Sequence, residues 1–218
     1  MKNFLKALTI FCLLFNTYSQ AQNTSFEGKV YYRHFVELKD TTKSEWDIIM
    51  FYGSESNLYI KDGQYRWDFV NSALEQEIYV SEENKVYSKY QKNDTLYWEH
   101  ANEPAEEILQ TFPIKENNTE IMGKMCDLLM IKSKLMGSQE IRGRMYYFSD
   151  DYPLDPKHFT QLKVNNQNVI YDKMQAIPLQ IIVLHKEYRV IYKAFGVEEK
   201  TLDAQLFKLD KSSPRKSL

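Results

Sequence analysis

Residues 57–69 read NLYIKDGQYRWDF, and the fold turns on how this stretch is read. Asp62-Gly63 lies between two apolar runs. Gly reaches positive φ without a Cβ clash and Asp tolerates the same region, so the pair predicts a two-residue type I′ hairpin. Leu58 and Ile60 alternate on the outgoing arm, and Tyr65, Trp67 and Phe69 on the return. A period of two places those side chains on one face of an antiparallel sheet. The pattern recurs in EQEIYV-SEEN-KVYSKY (75–90) and SKYQ-KND-TLYWEH (88–100), which predict two further hairpins. Ile78 with Val80, Val86 with Tyr90, and Leu96 with Trp98 are read as continuing the same face. That face is either a packed core or the wall of an apolar cavity.

Working outward, residues 26–38 alternate over their whole length and predict a long strand, with His34 on its apolar parity as a hydrogen-bonded interior histidine. Residues 39–45 read as a charged turn and 46–52 as a second strand. Downstream the character changes. Pro104 suits a first helical turn, Glu106 and Glu107 the positive end of a helix dipole, and Ile108, Leu109 and Phe112 form a stripe, so 103–112 predicts a short helix. A polar loop at 115–119 follows, then strands at 126–133, 140–148, 177–185 and 189–197. Residues 149–159 read as a Pro-punctuated acidic loop, 157–165 as a second short helix, 201–207 as a helical or turn segment packing Leu202, Leu206 and Phe207, and 208–218 as a fraying polar tail. The fold class expected is mainly β, an incomplete antiparallel barrel (half-barrel) with one or two short helices on its open side.

Residues 1–21 have the form of a secretory signal. Lys2 and Lys6 precede an apolar run, 7–15, too short to span a bilayer, and Ser19-Gln20-Ala21 predicts cleavage before Gln22. The expected organisation is signal 1–21, one β-rich domain over 22–207 and a tail over 208–218, exported to the periplasm or outside the cell. Downstream of the signal no run approaches the roughly 20 apolar residues of a transmembrane helix. Removal of Lys2 and Lys6 with the signal takes the formal net charge from −2 to −4, which argues against a nucleic-acid surface. Cys12 leaves with the signal, so Cys126 is a lone thiol, and an exported domain without an internal disulfide rests on its core.

Motifs for catalysis are missing. The sequence has no Gly-rich phosphate loop, no HExxH, no G-x-S-x-G and no CxxC, and contains seven Gly in all. His34, His100, His158 and His185 carry no metal-ligand spacing. Asp150, Asp151 and Asp155 fit no calcium loop, which needs a central Gly and a terminal Glu, so they read as turn carboxylates. No cofactor and no metal is expected, and the protein reads as non-enzymatic. What stands out is aromatic, with 16 Tyr and 12 Phe concentrated on strands. A curled sheet with aromatic walls hosts apolar ligands. The candidate ligand-binding residues are Tyr32, Trp46, Met50, Tyr65, Trp67, Tyr90, Trp98, Ile181 and Val183, and the expected ligand is a lipid or acyl chain. The alternative is a cell-envelope interaction or structural module with a packed core, meeting a protein partner through exposed Tyr on edge strands.

Over 57–100 the chain resembles the periplasmic outer-membrane lipoprotein carriers (LolA-like), with Tyr59, Trp67, Val80, Tyr87, Tyr90 and the segment 104–112 in matching order. It is also similar to the exported DUF4412-type domains of Bacteroidota, and more distantly to the GLPGLI family. The residues that carry this second likeness are FEGKVYY (26–32), IMGKMC (121–126), YFSDD (147–151) before a Pro, IPL (177–179) and a closing Leu206-Phe207. The resemblance implies a half-barrel lidded by helices that binds acyl chains. The carriers' latching Arg at the first hairpin turn has Asp62 in its place.

Overall fold

The computed structural model of the 218-residue chain describes residues 25–39, 42–210 and 212–218, and the expected signal segment lies outside them. The chain is mainly β. Strand β1 (Gly28–Leu38) is followed by helix α1 (Glu45–Tyr52) and then by β2 (Glu55–Lys61), β3 (Gln64–Val70), β4 (Leu74–Val80), β5 (Lys85–Tyr90) and β6 (Leu96–His100). Next come β7 (Glu106–Ile121), β8 (Lys124–Leu135) and β9 (Ile141–Pro153). Helix α2 (Gln167–Met174) precedes β10 (Ala176–Leu184), β11 (Tyr188–Glu199) and the short β12 (Arg215–Ser217). Among the described residues twelve strands form one open sheet, in the order β12-β6-β5-β4-β3-β2-β1-β11-β10-β9-β8-β7.

The central hairpin forms as its residues dictate. Asp62 (φ 46) and Gly63 (φ 74) both take the positive φ that a type I′ turn requires. Gly63 is constrained a second time, because a Cβ there would lie 2.7 Å from the Cβ of His158. The turn therefore receives the segment that crosses the inside of the sheet.

That inside exists because the sheet curls. β6 and β7 stand ten places apart in the strand order, and only residues 101–105 join them. In a flat sheet ten strand spacings amount to about 48 Å, whereas such a linker reaches no more than about 20 Å. The two ends of the sheet must bend toward each other. The concave face so made is filled by residues 154–175. Lys163 N donates to Ala101 O at 2.6 Å, Leu154 N donates to Gln175 O at 2.8 Å, and Phe159, Leu162, Ile170 and Met174 are buried.

Several expected elements differ. Residues 46–52 belong to α1 and form no strand. Ser44 caps the helix, accepting from Asp47 N, Glu45 and Asp47 face its positive end, and Gly53 closes it. From Glu106 on, the expected helix at 103–112 and the loop at 115–119 are instead parts of the edge strand β7, paired with β8 between Glu106 and Ile121 with two breaks in register, while 103–105 belong to the linker. Long-range pairing there overrides a helix-like start, and Pro113 is tolerated because it sits on a sheet edge. The second short helix lies at Gln167–Met174, after two 3-10 turns at Pro156–Phe159 and Val164–Asn166. The expected fraying tail adds β12, which pairs parallel to β6, so the sheet is antiparallel except at that edge. The aromatic face also switches parity after β3. Trp67 lies opposite Glu77, and Arg66 opposite Ile78, so Ile78, Val80, Leu96 and Trp98 point to the outer side. There the C-terminal segment covers them in part. Arg66 donates to Leu206 O, and the Arg215 guanidinium lies 5.6 Å from the Tyr87 ring centroid.

His34 is interior, as its parity predicts. It is 5% exposed, with Nδ1 3.0 Å from Gly53 O and Nε2 2.8 Å from Ser56 Oγ. A carbonyl only accepts, so Nδ1 carries the proton and Nε2 accepts from the Ser56 hydroxyl. Burial holds the imidazole neutral, with its pKa lowered to about 4. The unfolded chain therefore takes up this proton near pH 6.5 and the folded chain near 4. Stability falls as pH falls through that window, by up to about 3 kcal/mol from this group. Urea unfolding across the window should show the wild-type advantage over His34→Gln shrinking as pH drops. A constant difference would place the acid sensitivity elsewhere.

Candidate functional site

A cavity of about 400 Å³ lies between the concave face and the covering segment. Cross-strand registration builds its wall. Leu58 of β2 stands opposite Trp67 of β3, and Tyr65 beside them stands opposite Tyr79 of β4. On the other side Tyr146 of β9, Ile181 of β10 and Tyr192 of β11 form one row, with Val183 in the next. Ile170, Tyr171 and Met174 on one face of α2 close it from above, and Phe51 and Tyr52 at the end of α1 stand at its rim. The Trp67 and Phe69 rings stack at 5.2 Å, and Trp67 lies 5.9 Å from Tyr192.

The cavity's polar groups are mostly engaged. Tyr65 donates to Glu77 Oε1 at 2.5 Å, and Tyr32, just behind the wall, donates to Pro178 O at 2.5 Å. Burial and the nearby Glu77 push the Tyr65 hydroxyl well up, and burial does the same for Tyr171 and Tyr192. Burial also raises the Glu77 carboxyl. The indole Nε1 of Trp67 is buried with no hydrogen-bond partner. A wall of neutral phenols and aliphatics suits an apolar occupant.

One end of the cavity is ionic. Glu106 on β7 is fully buried and receives a fork from Arg144 on β9, Nη1 to Oε2 at 2.9 Å and Nη2 to Oε1 at 2.6 Å. Ser133 adds a bond at 2.7 Å and Arg142 one at 3.2 Å. Burial alone would raise the Glu106 carboxyl, but Arg144, Ser133 and Arg142 outweigh it and hold it low. Arg144 also reaches Asn165 O in the covering segment at 3.5 Å. Arg142 extends outward to Glu140 at 2.8 Å, and His185 shares a 2.9 Å bond with Tyr52. Burial and the adjacent Arg142 hold His185 low, so it is neutral near pH 7.

Of the nine residues expected to bind ligand, Tyr65, Trp67, Ile181 and Val183 line this cavity. Tyr32 is buried against Trp67 with ring centroids 6.0 Å apart, one layer behind. Trp46 and Met50 lie on the outward side of α1 and are exposed. Tyr90 is at the sheet rim against Tyr97, and Trp98 is on the outer side beside Lys85 and His100. Sequence reasoning missed the α2 contribution and the Glu106–Arg144 pair. The i, i+1, i+4 spacing of Ile170, Tyr171 and Met174 was a usable helix signal. Nothing local marks Glu106 and Arg144, which are 38 residues apart.

Other reactive groups have structural employment. Asp151 pairs with Lys124 at 3.1 Å, Asp155 caps the 3-10 turn at Pro156, and the Cys126 thiol is buried, its pKa raised by that burial. Among the described residues no cluster of three or more His, Cys, Asp or Glu could hold a metal ion, and no helix is long and apolar enough to cross a membrane. Comparison with known proteins finds no matching family model and no match among curated proteins.

The ion pair yields a stability prediction. Glu106→Ala leaves Arg144 buried without its counter-charge and should cost about 3 to 5 kcal/mol. Pairing it with Arg144→Met should recover most of the loss. Urea midpoints of the two variants measure this, and equal destabilisation by single and double variants would show that the pair is not the coupled unit.

Proposed function

We propose that this protein is an exported, non-enzymatic binding protein whose open sheet acts as a half-barrel holding an apolar ligand, a lipid or acyl chain, beneath α2. The observation that carries this reading is the aromatic and aliphatic cavity of about 400 Å³, a volume within the ordinary range for small-molecule sites. A fully packed interaction module would have no use for such a space. The resemblance to lipoprotein carriers and to DUF4412-type domains agrees with this reading. The ionic end differs from the apolar body and gives the site polarity, so an amphiphile would lie with its chain between Trp67 and Tyr171 and its polar end toward Arg142 and His185.

Native mass spectrometry of protein purified from its own envelope, followed by organic extraction, should release a lipid. Delipidated protein should then bind a fluorescent fatty acid saturably and quench Trp67. Ile181→Trp, which fills the cavity, should weaken that binding at least tenfold while leaving the melting temperature within a few degrees. Delipidated wild type that shows no saturable binding would overturn the proposal.

A further inference from the structure

The outer face of the sheet is covered over only one half. The C-terminal segment crosses β3 and β4 and pairs with β6. The described contacts of that segment lie over β3, β4 and β6, and on the other half, over β7 to β11 and β1, Ile182 at the middle is buried at 6% exposed while the ends of the face are open. Register places one continuous apolar row on that uncovered half: Phe112, Met130, Met145, Ile182, Ile191 and Phe35 stand opposite one another in turn. Phe112 and Phe35, at its two ends, are 46% and 45% exposed. β10 explains why the row is unusual. Its sequence, AIPLQIIVL, is apolar on both faces, whereas an antiparallel strand with one solvated face normally alternates.

The rows on either side are cationic. One carries Lys132 and Arg189, the other Lys193 and Arg33. Lys134 adds to the first side. Glu37, Glu55 and Glu107 are the carboxylates beside these rows; Arg189 already engages Glu37, and Arg33 engages Glu55 at 3.3 Å. Lys132, Lys134 and Lys193 form no ion pair among the described residues. In a chain of net charge −2 this half-face is locally positive.

We infer that this face docks on an anionic lipid bilayer. An apolar row bracketed by unpaired lysines matches the two components of such a surface, acyl boundary and negative headgroups. A second copy is a poor occupant, because face-to-face packing would oppose like charges across the interface. Strand addition at the neighbouring edge is also disfavoured, since β7 carries Pro113 and two breaks in register. The face is separate from the cavity wall, so docking stands or falls independently of ligand binding.

The test is co-sedimentation of the purified chain with vesicles of phosphatidylcholine, with and without phosphatidylglycerol, at low and high salt. The expected result is sedimentation with the anionic vesicles alone, reversed by salt. Lys132→Glu with Lys193→Glu, and separately Phe35→Ser with Phe112→Ser, should each cut the bound fraction at least tenfold while fatty-acid binding is unchanged. All four side chains are exposed, and thermal melts confirm that the variants fold. Wild type that stays in the supernatant at low salt overturns the inference, as does sedimentation insensitive to both variants. A dimer in light scattering that Phe112→Ser dissolves, or binding to an acidic protein without binding to vesicles, would assign the face to that occupant instead.

Discussion

Residues 101–105 join strands that stand ten places apart in one sheet, and the geometry of the molecule follows from that short connection. A twelve-stranded sheet can remain open and flat only if its ends are free to separate. Here they are not, so the sheet bends and acquires an inside. A concave surface of aromatic residues exposed to water would be costly. Residues 154–175 meet that need, anchored at Ala101 on one side and against Gly63 on the other.

The filling is incomplete, and where it stops defines the site. Ile170, Tyr171 and Met174 touch the sheet without filling the space before Trp67 and Tyr192. Native interiors seldom hold large unfilled volumes, because each lost contact costs dispersion and transfer free energy. The Glu106–Arg144 pair has a related logic. A buried ion pair contributes little net stability compared with apolar residues of the same shape. Its position between β7, β9 and the covering segment makes it a register pin for the edge strand and a polar boundary to an otherwise apolar cavity.

The two faces of the sheet then divide the labour. Inside, hydrogen bonds satisfy the Tyr32 and Tyr65 phenols and His34, leaving a lining that is neutral away from the Arg142–Arg144 end. Outside, one half is closed by the chain's own C-terminus and the other presents an apolar row between lysines. A strand such as β10, apolar on both sides, serves both surfaces at once.

The hairpins of 57–100 are legible locally, because Asp-Gly and period-two alternation are local signals that fix a turn and the alternation of each strand. Parity, a local property, also marked the interior place of His34, Tyr65 and Trp67, whereas on β10, apolar on both faces, only pairing with β9 and β11 tells Ile181 and Val183 inside from Ile182 outside. The rest follows from contacts between residues distant in the chain. Residues 103–112 carry helix-start chemistry, yet pairing with β8 and the buried fork from Arg144 make 106–112 a strand. Residues 46–52 alternate weakly, yet the Ser44 cap and the closing Gly53 make them a helix. The face switch after β3 depends on a register set between strands, which no single strand encodes. The cavity itself depends on how far a curled sheet stands from the segment laid across it, a distance fixed by contacts between residues far apart in the chain.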